Sequence, residues 1–216
     1  MFGRLFNRLR VDGPRAATRA VARRVRKLAY LREEHVWYGR DLTVRRTTCE
    51  LPAGLRLVRA DASEVDNVTL LGQDPDEAHA RVEAGNDIWF VLQGDQPLFL
   101  CFTFRHETPV IAASEGTLAL PPGAACLEDS VTAPEARGRG IATAAWTLIG
   151  EELRQDGFRE LVAKIETSNV ASERVAEKSG FRPVAVMRHQ RTGVRRRTAV
   201  MALGGGLGDE LAARLV

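Results

Sequence analysis

Apolar and polar residues alternate through Leu55-Arg56-Leu57-Val58-Arg59, the period-two pattern of a strand with one covered face. Residues 60–72 carry the wider apolar spacing of a helix, with Asp61 or Ser63 near its cap. Asp74-Pro75 opens a second helix that runs to about Ala84, and Gly85-Asn86 closes it. Ile88 to Gln93 and Pro97 to Arg105 predict two strands joined at Gly94-Asp95, a hairpin signal. Thr108 to Gly123 accommodates a short strand or a loop. Ala124 to Val131 predicts a strand, Ile141 to Gln155 a helix stopped at Asp156-Gly157, and Glu160 to Thr167 another strand. Ala171 to Ser179 then predicts a helix. Val184 to His189 and Arg195 to Leu203 predict strands around Arg191-Thr192-Gly193. Gly204-Gly205-Gly206 breaks the chain before a short terminal helix. There is no internal repeat.

The N-terminal segment has a different pattern. Phe2, Leu5, Phe6 and Leu9 recur at helical spacing among arginines, and Asp12-Gly13-Pro14 interrupts them. Arg15 to His35 carries Val21, Val25, Leu28 and Leu31 in the same manner, which predicts a second basic helix. Trp37, Tyr38 and Leu42 anchor this extension against the body, and Leu51-Pro52-Ala53-Gly54 is the strongest boundary signal. The expected organisation is therefore a basic helical extension over 1–53, a mixed domain over 54–203 and a tail over 204–216.

Charge sharpens that division. Residues 1–32 hold ten Lys or Arg against one acid, Asp12, a balance of +9; the whole chain carries +3, so the remainder carries −6. A basic amphipathic helix can lie on an anionic membrane surface, or dock on its own body or on another subunit of a homodimer. No stretch of 18 uninterrupted apolar residues occurs, which predicts no membrane-spanning helix. No apolar core follows Met1–Arg10, so a secretory signal is not expected, and the lack of Ser disfavours a transit peptide. Cys49, Cys101 and Cys126 are scattered, without a C-x-x-C pair, which argues against a disulfide framework or a metal site and for a reducing, cytoplasmic compartment. Few aromatics accompany the arginines, so no nucleic-acid partner is expected.

The chemistry concentrates between residues 130 and 143. A strand ending at Ser130-Val131 runs into a turn, Arg137-Gly138-Arg139-Gly140, and then into the helix that begins Ile141-Ala142-Thr143. Such a turn directs successive backbone N–H groups at an anion from a helix N-terminus. The dinucleotide fingerprint fails because Thr143 stands where its third glycine belongs, and the G-K-[ST] of a P-loop is absent. The pattern [RQ]-x-x-G-x-[GA], read as Arg137, Gly140 and Ala142, resembles the pyrophosphate motif of the GNAT superfamily of CoA-dependent N-acetyltransferases. Downstream, Asn169, Ser172, Lys178, Gly180 and Phe181 fit that family's N-x-x-[AS]-x-x-x-x-x-K-x-G-F helix at the right spacing. The element order β-α-α-β-β-β-α-β-α-β-β also matches, and the resemblance covers roughly residues 55–203.

What the resemblance implies is an α/β fold of mixed central sheet and flanking helices, using acetyl-CoA. N–H groups of Gly138, Arg139, Gly140, Ile141, Ala142 and Thr143 would hold the pyrophosphate, with Arg137 adding charge. Backbone groups of Ser130 and Val131 would pair with the pantetheine arm where two parallel strands splay, and the Asn169 amide would contact the arm. Asn169 equally suits the N-cap of the helix after it. The acceptor would be an amine, on a small molecule or a protein, needing a base. Glu128, Asp129 and Glu166 are the candidates, and each also suits a solvated surface. Strand alternation allows only one of Glu128 and Asp129 to face the cleft. Lys164 and Glu166 share a strand face and could simply pair. The sequence departs from the family at Ala176, where many members carry a Tyr that protonates the leaving thiolate. A CoA-binding module without turnover therefore remains the second reading. Arginines 188, 191, 195, 196 and 197 make the last hairpin basic, and the resemblance puts that hairpin and the first two helices on the acceptor side.

Overall fold

In a computed structural model, residues 30–45, 49–110 and 116–215 are described. The helices expected before residue 30, with their apolar stripe and membrane or subunit contacts, lie outside them. Among the described residues an eight-stranded sheet runs in the order β10-β9-β1-β8-β7-β4-β3-β2. Its strands are β1 (Tyr30–Asp41), β2 (Leu55–Arg59), β3 (Asp87–Gln93), β4 (Gln96–Phe104), β7 (Ala124–Thr132), β8 (Glu160–Glu166), β9 (Arg182–Thr192) and β10 (Arg195–Ala202). A small hairpin, β5 (Glu107–Pro109) and β6 (Thr117–Ala119), stands apart. Only β7 and β8 pair in parallel; every other ladder of the large sheet is antiparallel.

Helices cover both faces. On one, α2 (Ile141–Gln155) and α3 (Val170–Lys178) bury Ile149, Leu153 and Ala176 against Tyr38, Leu127 and Leu161. On the other, a 3₁₀ segment (Val65–Leu71), α1 (Pro75–Glu83) and α4 (Leu207–Leu215) bury Val65, Ala78 and Leu211 with Trp37, Phe102 and Val162. The Asp74 side chain caps α1 by accepting from the Asp76 N–H at 3.1 Å, as its position before Pro75 predicts.

Three expectations are corrected. The helix expected through His35 is not formed over residues 30–35, because Tyr30–Asp41 is a strand between β8 and β9. The helical period of Val21, Val25 and Leu28 does not continue into this segment, where neighbouring strands impose a period of two: Trp37 buries in one apolar cluster and Tyr38, next to it, in the other. Residues 30–41 are thus part of the sheet rather than of an extension, and the signal at Leu51-Pro52 follows a central strand. Residues 60–72 form only the short 3₁₀ segment, since the Asp61 carboxylate accepts from the Ser63 N–H at 2.8 Å and turns the chain there. The tail is packed: Leu211 and Leu215 of α4 are buried, and a Cβ on Gly208 would collide with the Val184 carbonyl oxygen.

Two outcomes follow from this packing. A chain starting at Pro52 lacks β1 and is expected to lose cooperative unfolding, read by thermal circular dichroism beside the full chain. Gly208→Ala is expected to lower stability by about 1–3 kcal/mol through overpacking, read as a shift of the urea midpoint.

Candidate functional site

The site begins where a ladder stops. Parallel pairing of β7 with β8 ends at Leu127 and Ala163. On the other edge of β7, Phe102 pairs with Glu128 and Leu100 with Val131, so Asp129 and Ser130 oppose Cys101 alone. This is a β-bulge, and Asp129 takes a φ of 50°, the one positive value among described non-glycine residues. The bulge bends β7 away from β8, and a gap opens between the strands.

A cavity lies at each side of the gap. The first, about 590 Å³, is walled by the turn, the start of α2 and α3; the second, about 410 Å³, is walled by the far ends of β7 and β8 with His35 and Gln73. Ser130, Val131, Trp146, Asn169 and Ser172 belong to both walls, so the two meet at the gap.

The first cavity collects Ser130, Val131, Arg137, Gly138, Gly140, Ile141, Ala142, Thr143 and Asn169; Arg139 is exposed and lies in neither wall. Gly138 and Gly140 have φ of 75° and 79°, conformations that favour glycine, and a Cβ on either would meet no atom within 4 Å. Gly140 caps α2 without a side-chain bond, and the first bond at this end runs from the Ala144 N–H to the Gly140 carbonyl at 3.0 Å. The N–H groups of Ile141, Ala142 and Thr143 precede it and have no i−4 carbonyl within the helix. Free donors, open space and a helix dipole together fit a pyrophosphate. Arg137 donates to the Thr132 carbonyl at 3.3 Å, which holds its guanidinium along the same cleft. Asn169 forms the N-cap expected of it, its Oδ1 accepting from the Ser172 N–H at 3.1 Å, and the residue also lines the first cavity.

Glu128, Asp129 and Glu166 all line the second cavity. The alternation rule that admits only one of the first two fails because the bulge and the left-handed Asp129 interrupt it. The three carboxylates are not equivalent. Asp129 is exposed and forms an ion pair with Arg81 of α1 at 2.8 Å. Glu166 is exposed at the end of β8. Glu128 is 12% exposed at its side chain and pairs with Lys164 at 3.2 Å, so Lys164 reaches across to β7 rather than to Glu166. Burial pushes the Glu128 carboxyl above the ordinary range, and the Lys164 ammonium opposes that shift.

Other wall residues carry no signal in the sequence. His35 is hidden there in a segment with helical spacing; burial and then Lys164 hold its pKa down, which favours the neutral ring. Trp146, 3% exposed, packs edge-on against Phe181 with centroids 5.5 Å apart. Its indole Nε1 has no partner among the described residues. Ala176 is fully buried in the same cluster, so the absent Tyr leaves packed apolar atoms and no hydroxyl. None of the arginines of the basic hairpin lines either of these two cavities, and β1 stands between β9 and β8.

The model of the acetyltransferase (GNAT) family matches residues 64–181, more than half of the chain. The chain belongs to the GNAT family. No curated protein matches it at a significant level. Solved structures similar in fold include a GCN5-related N-acetyltransferase from Sphaerobacter thermophilus, at 12% identity and a TM-score of 0.56, covering 89% of this chain and 60% of that one. One from Kribbella flavida has 14% identity and a TM-score of 0.54, covering 88% and 66%. An acetyltransferase of the family from Colwellia psychrerythraea has 14% identity and a TM-score of 0.51, covering 79% and 55%. The GNAT-family chain thus spans less than two thirds of the length of each of these structures. Among the described residues no helix is long and apolar enough to cross a membrane, and no group of three or more His, Cys, Asp or Glu side chains is arranged to hold a metal ion.

Gly140→Asp is expected to weaken CoA binding by about 10–100-fold, since it sets a carboxylate against the phosphate donors. The fold should persist, at a cost of about 1 kcal/mol for the left-handed backbone. Calorimetric titration with CoA, beside a thermal melt, checks both.

Proposed function

We propose that this GNAT-family protein is an acetyl-CoA-dependent N-acetyltransferase whose acceptor is a primary amine and whose base is Glu128. The observation that carries the reading is the meeting of two chemically different cavities at the β7/β8 gap. A cradle of N–H donors lies on one side and a desolvated carboxylate on the other. Acetyl-CoA, when bound, would supply an acetyl thioester as the electrophile. Gly138 to Thr143 would hold its pyrophosphate through backbone N–H groups, and Asn169 would keep a free amide donor for the arm while its oxygen caps α3.

Glu128 suits general-base work because its environment raises the affinity of its carboxylate for a proton without neutralising it through two charges. Asp129 is the weaker candidate, since Arg81 already occupies its Oδ2. Glu166, exposed at the mouth, and Asp129 would together draw a cationic acceptor towards the cavity. The acceptor amine, carried by a small molecule or a protein, would lose its proton to Glu128 as it attacks the thioester directly.

Ala176 supports a second reading, a CoA-binding module without turnover, because no phenol stands ready to serve the leaving thiolate. Thiol release from acetyl-CoA across a panel of amines separates the two: binding without release by any amine favours the module. In an active protein, Glu128→Gln is expected to lower the rate by roughly 10²–10⁴. The raised carboxyl predicts a wild-type rate that falls as pH drops through a value above the ordinary Glu range, because only the ionised form accepts a proton. A Glu128→Gln variant with the wild-type pH profile would exclude Glu128 as the base.

A further inference from the structure

The bonds around Glu128 are lopsided. Its Oε1 receives the Lys164 ammonium at 3.2 Å, the Thr108 hydroxyl at 3.3 Å and the Cys126 thiol at 3.6 Å. Its Oε2 has no hydrogen bond among the described residues. Burial holds the Cys126 thiol well above its ordinary range, so it stays protonated and acts as a donor. The donors are themselves fixed. Lys164 also donates to the Pro109 carbonyl at 2.7 Å and lies 5.9 Å from the centroid of the Trp37 ring, while Thr108 is fully buried in β5. A carboxylate clamped through one oxygen can turn little about its end, so the other oxygen keeps one direction.

We propose that Lys164 and Thr108 are positioning residues that hold Oε1 of Glu128 and leave Oε2 as the atom that takes the proton from the acceptor amine. This rests on the reading of Glu128 as the base. In that step the N–C bond forms and the C–S bond breaks, with its electron pair going to sulfur. The proton lost by nitrogen rests on Oε2 before it passes to the thiolate or to water. The charge of Lys164 also favours the ionised form of Glu128, against the burial that favours the protonated one. The other charged or titratable groups near Glu128 are Asp129, which is paired with Arg81 of α1, and His35 and Glu166, which share the cavity wall. The ammonium is thus the cation in direct contact with Glu128.

The test uses the full chain. Carboxyl ¹³C NMR, with no substrate present, follows the Glu128 signal, which Glu128→Gln identifies by its loss. Lys164→Met is expected to move that titration upward by about 1–3 pH units, and Thr108→Val upward by less. Lys164→Arg should return it close to wild type. The acid limb of kcat/KM for acetyl transfer should move upward by the same interval in each variant. An unmoved Glu128 titration in both Lys164→Met and Thr108→Val overturns the clamp, and leaves the assignment of the base to Glu128→Gln. A titration that moves while the acid limb stays in place overturns Glu128 as the base, and with it the positioning role of Lys164 and Thr108 in the reaction. Should Lys164→Met fail to fold, Thr108→Val and Lys164→Arg carry the same comparison.

Discussion

The loss of parallel pairing between β7 and β8 after Leu127 and Ala163 is the constraint on which the site depends. Two strands that stayed paired would close the sheet and leave no passage between its faces. The bulge at Asp129 and Ser130 bends β7 out of the ladder, and the positive φ at Asp129 is tolerated where Arg81 binds its carboxylate. Arg81 is in turn steadied by the ring of Phe102, whose centroid lies 4.3 Å away. One local irregularity thereby frees the backbone of Ser130 and Val131, opens a cavity on each side and turns two neighbouring carboxylates into one of them.

Strand β1 supports that opening from the other side. It pairs with β8 from His35 to Asp41, along the edge opposite the one that β7 leaves unpaired, and its Trp37 and Tyr38 tie the two apolar clusters together. Arg40 reaches over α2 and donates to the Trp146 and Thr147 carbonyls at 3.4 Å each. A Cβ on Gly150 would stand 2.7 Å from its guanidinium, so the small residue in that helix is needed for the contact. The helix whose N-terminus forms the cradle is therefore fixed by the strand that also supplies His35 to the second cavity.

Electrostatics then divide the labour among like side chains. A buried carboxyl resists ionisation, and Glu128 is such a group. In the same cavity Glu166 is exposed and Asp129 is engaged by Arg81. Their distinct surroundings, more than their residue type, set what each can do.

The sequence by itself determined the parts whose physics is local. A strand–turn–helix with glycines at 138 and 140 presents its N–H groups whatever surrounds it, so the cradle and the Asn169 cap were legible from spacing alone, and two such motifs in order identified the family. The tertiary structure alone decided where Tyr30–Asp41 goes, because a short apolar run has no fixed period until neighbouring strands offer it a ladder. It also decided which way Asp129 faces, since a bulge shifts the alternation that a regular strand would keep. Lys164 shows the same division: along its own strand it stands over Glu166, but the approach of β7 brings Glu128 within 3.2 Å, and only that long-range contact made the pair.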